Sequence, residues 1–244
     1  MTRLQALAVW QWVNYWLEQT PDGRDPVIIN LDETSVAFYH GERKGNIVIR
    51  NRRFHPRTSP LQKVTRKELR ACVTHVGLVS EHPEVQRALP QEIIGNKSVL
   101  LVRDLRVAQP ELLRAVQILR EKSSWTNVAY MSGFMKRIGD AVKSVSADLQ
   151  PILLMDCARQ HVHEKVFSAA RRAGIRLVLI PARLTWLLQP CDAHVFQPYK
   201  RRLRALYALE RGEAADGNVT TAAWLRMISR TIVDVMQNRH WAPA

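Results

Sequence analysis

The stretch Ile152-Leu153-Leu154-Met155-Asp156-Cys157-Ala158-Arg159-Gln160-His161 decides the fold. It opens with an apolar run of strand length that ends on a carboxylate. A helical pattern follows from His163 to Ala173, with Gly174 in the usual C-terminal position, and then a second buried run spans Ile175 to Ile180. A strand–helix–strand unit of this kind predicts parallel strands with helices packed on the faces of their sheet.

A second apolar strand that ends on a carboxylate lies near the start of the chain. Val27 to Leu31 is β-branched and apolar and leads into Asp32, and the β-rich stretch from Leu69 to Val79 predicts an antiparallel neighbour. Catalytic groups gather at the carboxyl ends of strands in such sheets, so Asp32 and Asp156 are expected to face each other. Carboxylates that close repel unless a cation or a proton separates them, and oxygen ligands suit Mg²⁺ or Mn²⁺. For either aspartate alone, a helix cap or a turn is the more ordinary interpretation.

Periodicity predicts the other elements of the chain. Helices are expected over residues 1–19, 110–121, 134–149, 196–212 and 220–237. A hairpin strand at 47–49, a strand at 99–102 and a loop over 80–97 complete the prediction, and Pro151 is expected to stop the helix before it. We therefore expect an N-terminal helix (1–24), a core domain (25–211), and a linker with a C-terminal helix packed on the core (212–244). The Trp-rich first helix is expected to pack into the core rather than to stack on bases.

The charge of the chain predicts a polyanionic partner. Lys and Arg number 36 against 22 acidic residues, a formal net charge of +14. Nucleic acid is the first candidate, an anionic membrane surface the second, and charge that serves only solubility the third. No run of about 18 apolar residues and no signal-peptide pattern occurs, so a soluble intracellular protein without a membrane segment is expected.

The basic residues concentrate between positions 43 and 70. The residues expected to bind DNA phosphates are Arg50, Arg52, Arg53, Arg57 and Lys63, extended by Lys200, Arg201 and Arg202. A solvated hairpin is the less favoured alternative for the first group, and a nuclear-import signal is the alternative for the second.

The three acidic motifs occur together in one known family. Residues 152–161 resemble the second catalytic block of DDE-superfamily transposases of the pogo/mariner-like branch. Asn30-Leu31-Asp32-Glu33-Thr34 resembles the first block, and Gln189-Pro190-Cys191-Asp192 resembles the third, followed by a similar Phe–Lys stretch at 196–202. The 35 residues between Asp156 and Asp192 agree with the spacing in that family. The resemblance covers about residues 27–205, with the middle of the chain matching only loosely.

The resemblance implies an α/β, RNase H-like fold, a mixed sheet with helices on both faces. Asp32 is then on the first strand, Asp156 at the end of the fourth, and Asp192 near the start of the next helix. It also implies DNA cleavage and strand transfer by two Mg²⁺ or Mn²⁺ ions held by these three aspartates.

The residues expected to support this site are Glu33, His161 and Gln189, with His161 contacting the phosphate or the metal-bound water. A nuclear location and a homodimer are further expectations from the family. Relatives carry an N-terminal helix-turn-helix module, which we expect this sequence to lack, and with it sequence-specific recognition of transposon ends.

Two alternatives stay open. A zinc site could draw on Cys157, His161, His163, Cys191 and His194, although the usual CxxC and HxxxH pairs do not occur. A host-adopted, non-catalytic DNA-binding protein on the same fold is the second alternative. The three intact carboxylates favour catalysis over it.

Overall fold

The fold is built on one six-stranded mixed sheet. The computed structural model describes residues 2–18, 23–37, 72–109, 116–213 and 219–237. The strands are β1 (Asp25–Ala37), β2 (Cys72–Ser80), β3 (Gln91–Asn96), β4 (Val116–Glu121), β5 (Leu149–Met155) and β6 (Arg176–Leu179). Their order is β4-β3-β2-β1-β5-β6. β2 is antiparallel to β1 and β3, and the other neighbours are parallel.

Helices cover both faces of this sheet, as expected. They are α1 (Arg3–Glu18), α2 (Pro83–Ala88), α3 (Val102–Ala108), α4 (Val128–Val145), α5 (Glu164–Arg172), α6 (Thr185–Leu188), α7 (Phe196–Glu213) and α8 (Thr221–Ile232). Two π-helical turns, Cys191–Val195 and Val233–Gln237, precede α7 and follow α8.

Side chains alternate along β1 between two cores. Ile29 and Leu31 lie in the core that α2, α4 and α5 share with the sheet, which we call the α4 face. Val36 lies in the core formed with α7 and α8, which we call the α7 face, and the C-terminal helix packs there through the fully buried Trp224. Asp32 shares the parity of Val36 and therefore points towards the α7 face, whereas Glu33 points towards the α4 face.

The middle of the chain is more regular than the sequence prediction. Residues 80–97, expected as loop, form α2 and β3, with Pro83 in the first turn of α2 and His82 capping it. The expected strand at 99–102 is wrong, because Asn96 accepts backbone bonds in a turn that leads into α3. The helix expected over 110–121 is also wrong where it is described, since Val116–Glu121 pairs with β3 as β4.

Pro151 does not end a helix either. Helix α4 already ends at Val145, and Pro151 lies inside β5, paired with Val27 of β1. Because β4 precedes it, β5 is the fifth strand along the described part of the chain. Asp156 therefore follows the fifth strand, not the fourth.

Helix α1 covers the β6 side of the sheet with one face only. The Trp12 indole donates a hydrogen bond of 2.9 Å to the Leu179 carbonyl of β6. Trp10 is 64% exposed, and Leu4, Leu7, Tyr15 and Leu17 are exposed as well. The expectation that this helix packs into the core is wrong for these side chains, because a helix at a sheet margin meets protein on one side. Within the described ranges, no helix has the length and apolar character needed to cross a bilayer.

Candidate active site

Asp32 lies inside β1 rather than at its end. It pairs with Gly77 of β2, and β1 continues for five more residues. Its Oδ1 accepts the Glu33 amide at 2.8 Å, while its buried Oδ2 has no hydrogen-bond partner among the described residues. Burial, followed by the nearby charge of Asp192, raises the pKa of Asp32 to about 8. This carboxylate is therefore held where its charged form is disfavoured.

Asp192 reaches Asp32 from the π-helical turn before α7. The Asn30 side chain fixes that turn: its Oδ1 accepts the Cys191 amide at 2.9 Å, and its Nδ2 donates to the Leu154 carbonyl of β5 at 3.0 Å. Burial and the charges of Asp32 and Asp192 raise the pKa of the Cys191 thiol well above its ordinary value. π-Helical turns occur frequently at functional sites, and this one presents an exposed carboxylate beside a buried one.

Asp156 completes the group at the end of β5. It is half-buried, and its Oδ1 accepts the Ala158 amide at 3.0 Å and contacts His161 Nδ1 at 2.5 Å. The hydrogen bond from His161 holds the pKa of Asp156 below its ordinary value. Asp156 thus stays charged, and its charge adds a smaller upward contribution to the pKa of Asp32.

His161 connects Asp156 to Glu33. Its Nε2 lies 3.2 Å from Glu33 Oε1, and Thr126 Oγ1 donates to the same Glu33 oxygen at 2.7 Å. Burial alone would lower the pKa of His161, but the bonds to both carboxylates raise it to about 10. Both ring nitrogens contact carboxylates and the ring is fully buried, so in this structure His161 orients Asp156.

The three aspartates share one end of the sheet, but they are not arranged as a ligand set. In the part of the chain that the structure describes, no group of three His, Cys, Asp or Glu residues is placed to hold a metal ion. The donor set nevertheless suits a divalent cation, because the unpartnered, buried Oδ2 of Asp32 lies next to a second carboxylate. Asp32 and Asp192 are the residues that would hold such an ion, with Asp156 beside them.

The zinc alternative fails on geometry. His161 is engaged by two carboxylates, the Cys157 thiol donates to the Ile180 carbonyl at 3.2 Å, and His163 caps α5 by accepting the Lys165 amide at 3.1 Å. These residues serve local contacts instead of converging.

Gln189 is buried beside the turn that carries Asp192. Its backbone carbonyl accepts the Ala193 amide at 3.0 Å, and both polar atoms of its side chain lack a partner among the described residues. Its support of the site is therefore through the backbone in this structure.

The expected DNA-binding residues divide into two groups. Arg50, Arg52, Arg53, Arg57 and Lys63 lie outside the described residues. Arg201 and Arg202 are exposed on α7, opposite its buried side, and Arg202 lies 3.7 Å from Asp234. Lys200 is half-buried on the same helix.

Sequence reasoning missed Asn30 and Thr126 as site residues. Asn30 was part of the first motif, and the structure shows that it is buried. The available sequence signal was an amide side chain inside an apolar strand, two residues before an aspartate and therefore on the same strand face. No sequence signal identified Thr126, because its partner Glu33 is distant along the chain.

Comparisons with known proteins show the family of the chain and a likeness in fold. Residues 87–236 match the family described as DDE superfamily endonuclease. Among curated proteins, none matches the sequence significantly.

Two solved structures are among those similar to this chain. The Mos1 mariner paired-end complex with Mn is 15% identical with a TM-score of 0.50, and it covers 95% of this chain and 60% of that chain. The Mos1 transposase catalytic domain with raltegravir and Mg is 9% identical with a TM-score of 0.46, covering 94% of this chain and 88% of that chain. The chain thus spans about 60% of the length of the Mos1 transposase in the first structure. The sheet has the RNase H-like architecture expected from the sequence.

Proposed function

Because the chain belongs to the DDE superfamily endonucleases, we propose that it cleaves DNA phosphodiesters at Asp32, Asp156 and Asp192 with Mg²⁺ or Mn²⁺. One observation carries the proposal: Asp32 is a buried carboxylate with an unpartnered oxygen beside a second aspartate. Such an arrangement is costly unless a cation compensates it. Functional sites are where perturbed carboxylates of this kind concentrate.

The proposed reaction is a displacement at phosphorus. An oxygen–phosphorus bond forms from water or a DNA 3′-hydroxyl, the bond to the leaving oxygen breaks, and the proton of the nucleophile passes to solvent. Two divalent ions would supply charge neutralisation at the attacking and leaving oxygens. Asp32, Asp156 and Asp192 would be the residues that hold these ions.

The surrounding residues would position these carboxylates. Asn30 holds the turn of Asp192 against β1, and His161 keeps Asp156 charged and oriented. Pre-set geometry of this kind is the protein's main contribution to phosphoryl chemistry.

DNA is the proposed partner, with the basic surface of α7 and the 43–70 stretch contacting its backbone. Strand transfer, a homodimer and a nuclear location are parts of the same proposal that rest on the family. Support comes from the net charge of +14 and from the family match.

Plasmid nicking tests the function. The wild type should nick supercoiled DNA only with Mg²⁺ or Mn²⁺, and Asp32→Asn, Asp156→Asn and Asp192→Asn should each lower the rate by about three orders of magnitude or more. DNA binding by the three variants should persist, and Asp148→Asn, an exposed site, is the control. Nicking that survives in all three variants would refute the assignment, and an inactive wild type would favour the non-catalytic alternative.

A further inference from the structure

Three chain segments leave the same edge of the sheet. β4, β5 and β6 all run parallel to β1, so the connections that follow them leave the sheet on the side towards which β1 runs. These connections are residues 122–127, 156–163 and 180–184, the last continuing into α6. The second connection begins with Asp156, and the third leads through α6 to the turn that carries Asp192.

Each connection repeats the same pair of side chains. An exposed cation is followed three residues later by an exposed apolar residue, the pairs being Lys122 with Trp125, Arg159 with Val162, and Arg183 with Trp186. Trp125 is 76% exposed and Trp186 is 59% exposed. None of the three cations forms an ion pair with another described residue.

The two tryptophans are anchored close to the aspartates. Trp125 precedes Thr126, whose hydroxyl donates to Glu33 at 2.7 Å and accepts from Gln160 at 3.4 Å. The first two connections are therefore hydrogen-bonded to each other beside Glu33, the residue that follows Asp32. Trp186 lies in α6, which packs on the turn that carries Asp192.

Alternating cations and exposed aromatic rings suit single-stranded nucleic acid. The cations hold phosphates, and an exposed ring stacks on a base only when that base has left its pair. A protein-docking patch would be a continuous apolar surface, whereas here each apolar residue stands beside a charge.

We propose that Trp125 and Trp186 stack on unpaired bases that flank the scissile phosphodiester, so that the substrate is DNA opened around the cleavage point. Lys122, Arg159 and Arg183 hold the adjacent phosphates, and Val162 contacts the sugar or base between them. The inference rests on the proposed nuclease site for its position, and it specifies the form of DNA that this site takes.

Binding without metal tests the inference separately from cleavage. Fluorescence anisotropy in EDTA compares a labelled duplex carrying a central run of mismatches with a fully paired duplex of the same length. The wild type should bind the mismatched duplex more tightly. Trp125→Ala and Trp186→Ala should each weaken that binding by about tenfold or more and change the affinity for the paired duplex by less than about twofold.

Matched variants give the contrast. Trp10→Ala removes an equally exposed ring from α1 and should leave both affinities unchanged, and Trp125→Phe should retain most of the preference for unpaired DNA. Equal affinity of the wild type for both duplexes would overturn the proposal, whether or not the variants fold. So would a W125A/W186A double variant that loses self-association in sedimentation while keeping its DNA affinity, since the rings would then contact protein. If the preference is absent while nicking still needs the three aspartates, the stacking inference fails and the nuclease function stands.

Discussion

Two buried carboxylates in the same sheet have opposite surroundings. Glu92 on β3 has a fully buried side chain that forms a bidentate ion pair with Arg137. The Arg137 Nε donates to Glu92 Oε1 at 2.6 Å, and its Nη2 donates to Glu92 Oε2 at 3.0 Å. The Tyr130 hydroxyl donates to Oε2 at 2.8 Å. Asp32 on β1 has one backbone donor, a second oxygen without a partner, and another aspartate beside it.

The comparison separates a buried carboxylate whose charge is compensated within the fold from one whose charge is available to a ligand. At Glu92, a bidentate cation and a hydroxyl offset the loss of hydration. At Asp32, the protein supplies no cation, so the carboxylate is costly until something else binds.

The largest expected effect is at the satisfied carboxylate. Arg137→Ala leaves Glu92 buried without its cation and should lower the free energy of unfolding by about 3 to 5 kcal/mol. Urea denaturation measures this. The control is Lys136→Ala, at the residue next to Arg137, which removes an exposed ion pair with Asp140. It should lower the free energy of unfolding by less than about 0.5 kcal/mol. Similar losses in the two variants would contradict the account.

His75 lies on β2, the strand between those of Asp32 and Glu92. Its buried ring has a hydrogen-bond partner at only one of its two nitrogens among the described residues. Its Nε2 lies 3.2 Å from Gln91 Oε1, its Nδ1 has no partner among the described residues, and burial lowers its pKa to about 4. A folded-state pKa below the unfolded value of 6.5 means that stability is complete above pH 6.5 and falls as pH drops towards 4. The free energy of unfolding should fall by about 3 kcal/mol over this pH range. Denaturation at several pH values measures this change. His75→Asn should remove this part of the pH dependence, and a variant with the wild-type slope would contradict the assignment.

The smallest effect is a gain at the unsatisfied carboxylate. In metal-free protein, Asp32→Asn should raise the free energy of unfolding by about 1 to 3 kcal/mol, because a buried group that disfavours its charge is replaced by a neutral amide. Denaturation in EDTA measures this, with Asp148→Asn as the exposed control. A lower free energy of unfolding in Asp32→Asn than in the wild type would mean that the carboxylate stabilises the fold, contrary to this prediction.

Strong local signals made most of the fold predictable. The apolar run 152–155, the periodicity of α7 and the Gly174 position, where φ is +76°, each matched the structure within a few residues. The same runs placed Asp32 and Asp156 on or beside neighbouring parallel strands. Asp192 was added only through the resemblance of residues 189–192 to the third block of the family.

The remainder depended on contacts between distant residues. β3, expected as loop, and β4, expected as helix, are short strands that depend on pairing with β2 and with each other, and periodicity alone does not identify such short strands. The role of Asn30 depends on a turn 161 residues away, and the role of His161 on Glu33, 128 residues away. The Trp-rich helix α1 was expected to pack into the core, yet only the packing at the sheet margin decides which of its faces is covered.

Mn²⁺ titration by calorimetry tests the central claim most directly. We predict that the wild type binds Mn²⁺ and that Asp32→Asn abolishes the binding heat, while Asp148→Asn binds as the wild type does. A wild type that takes up no Mn²⁺, or an Asp32→Asn variant that binds it equally well, would contradict the claim that this buried aspartate is kept for a metal ion.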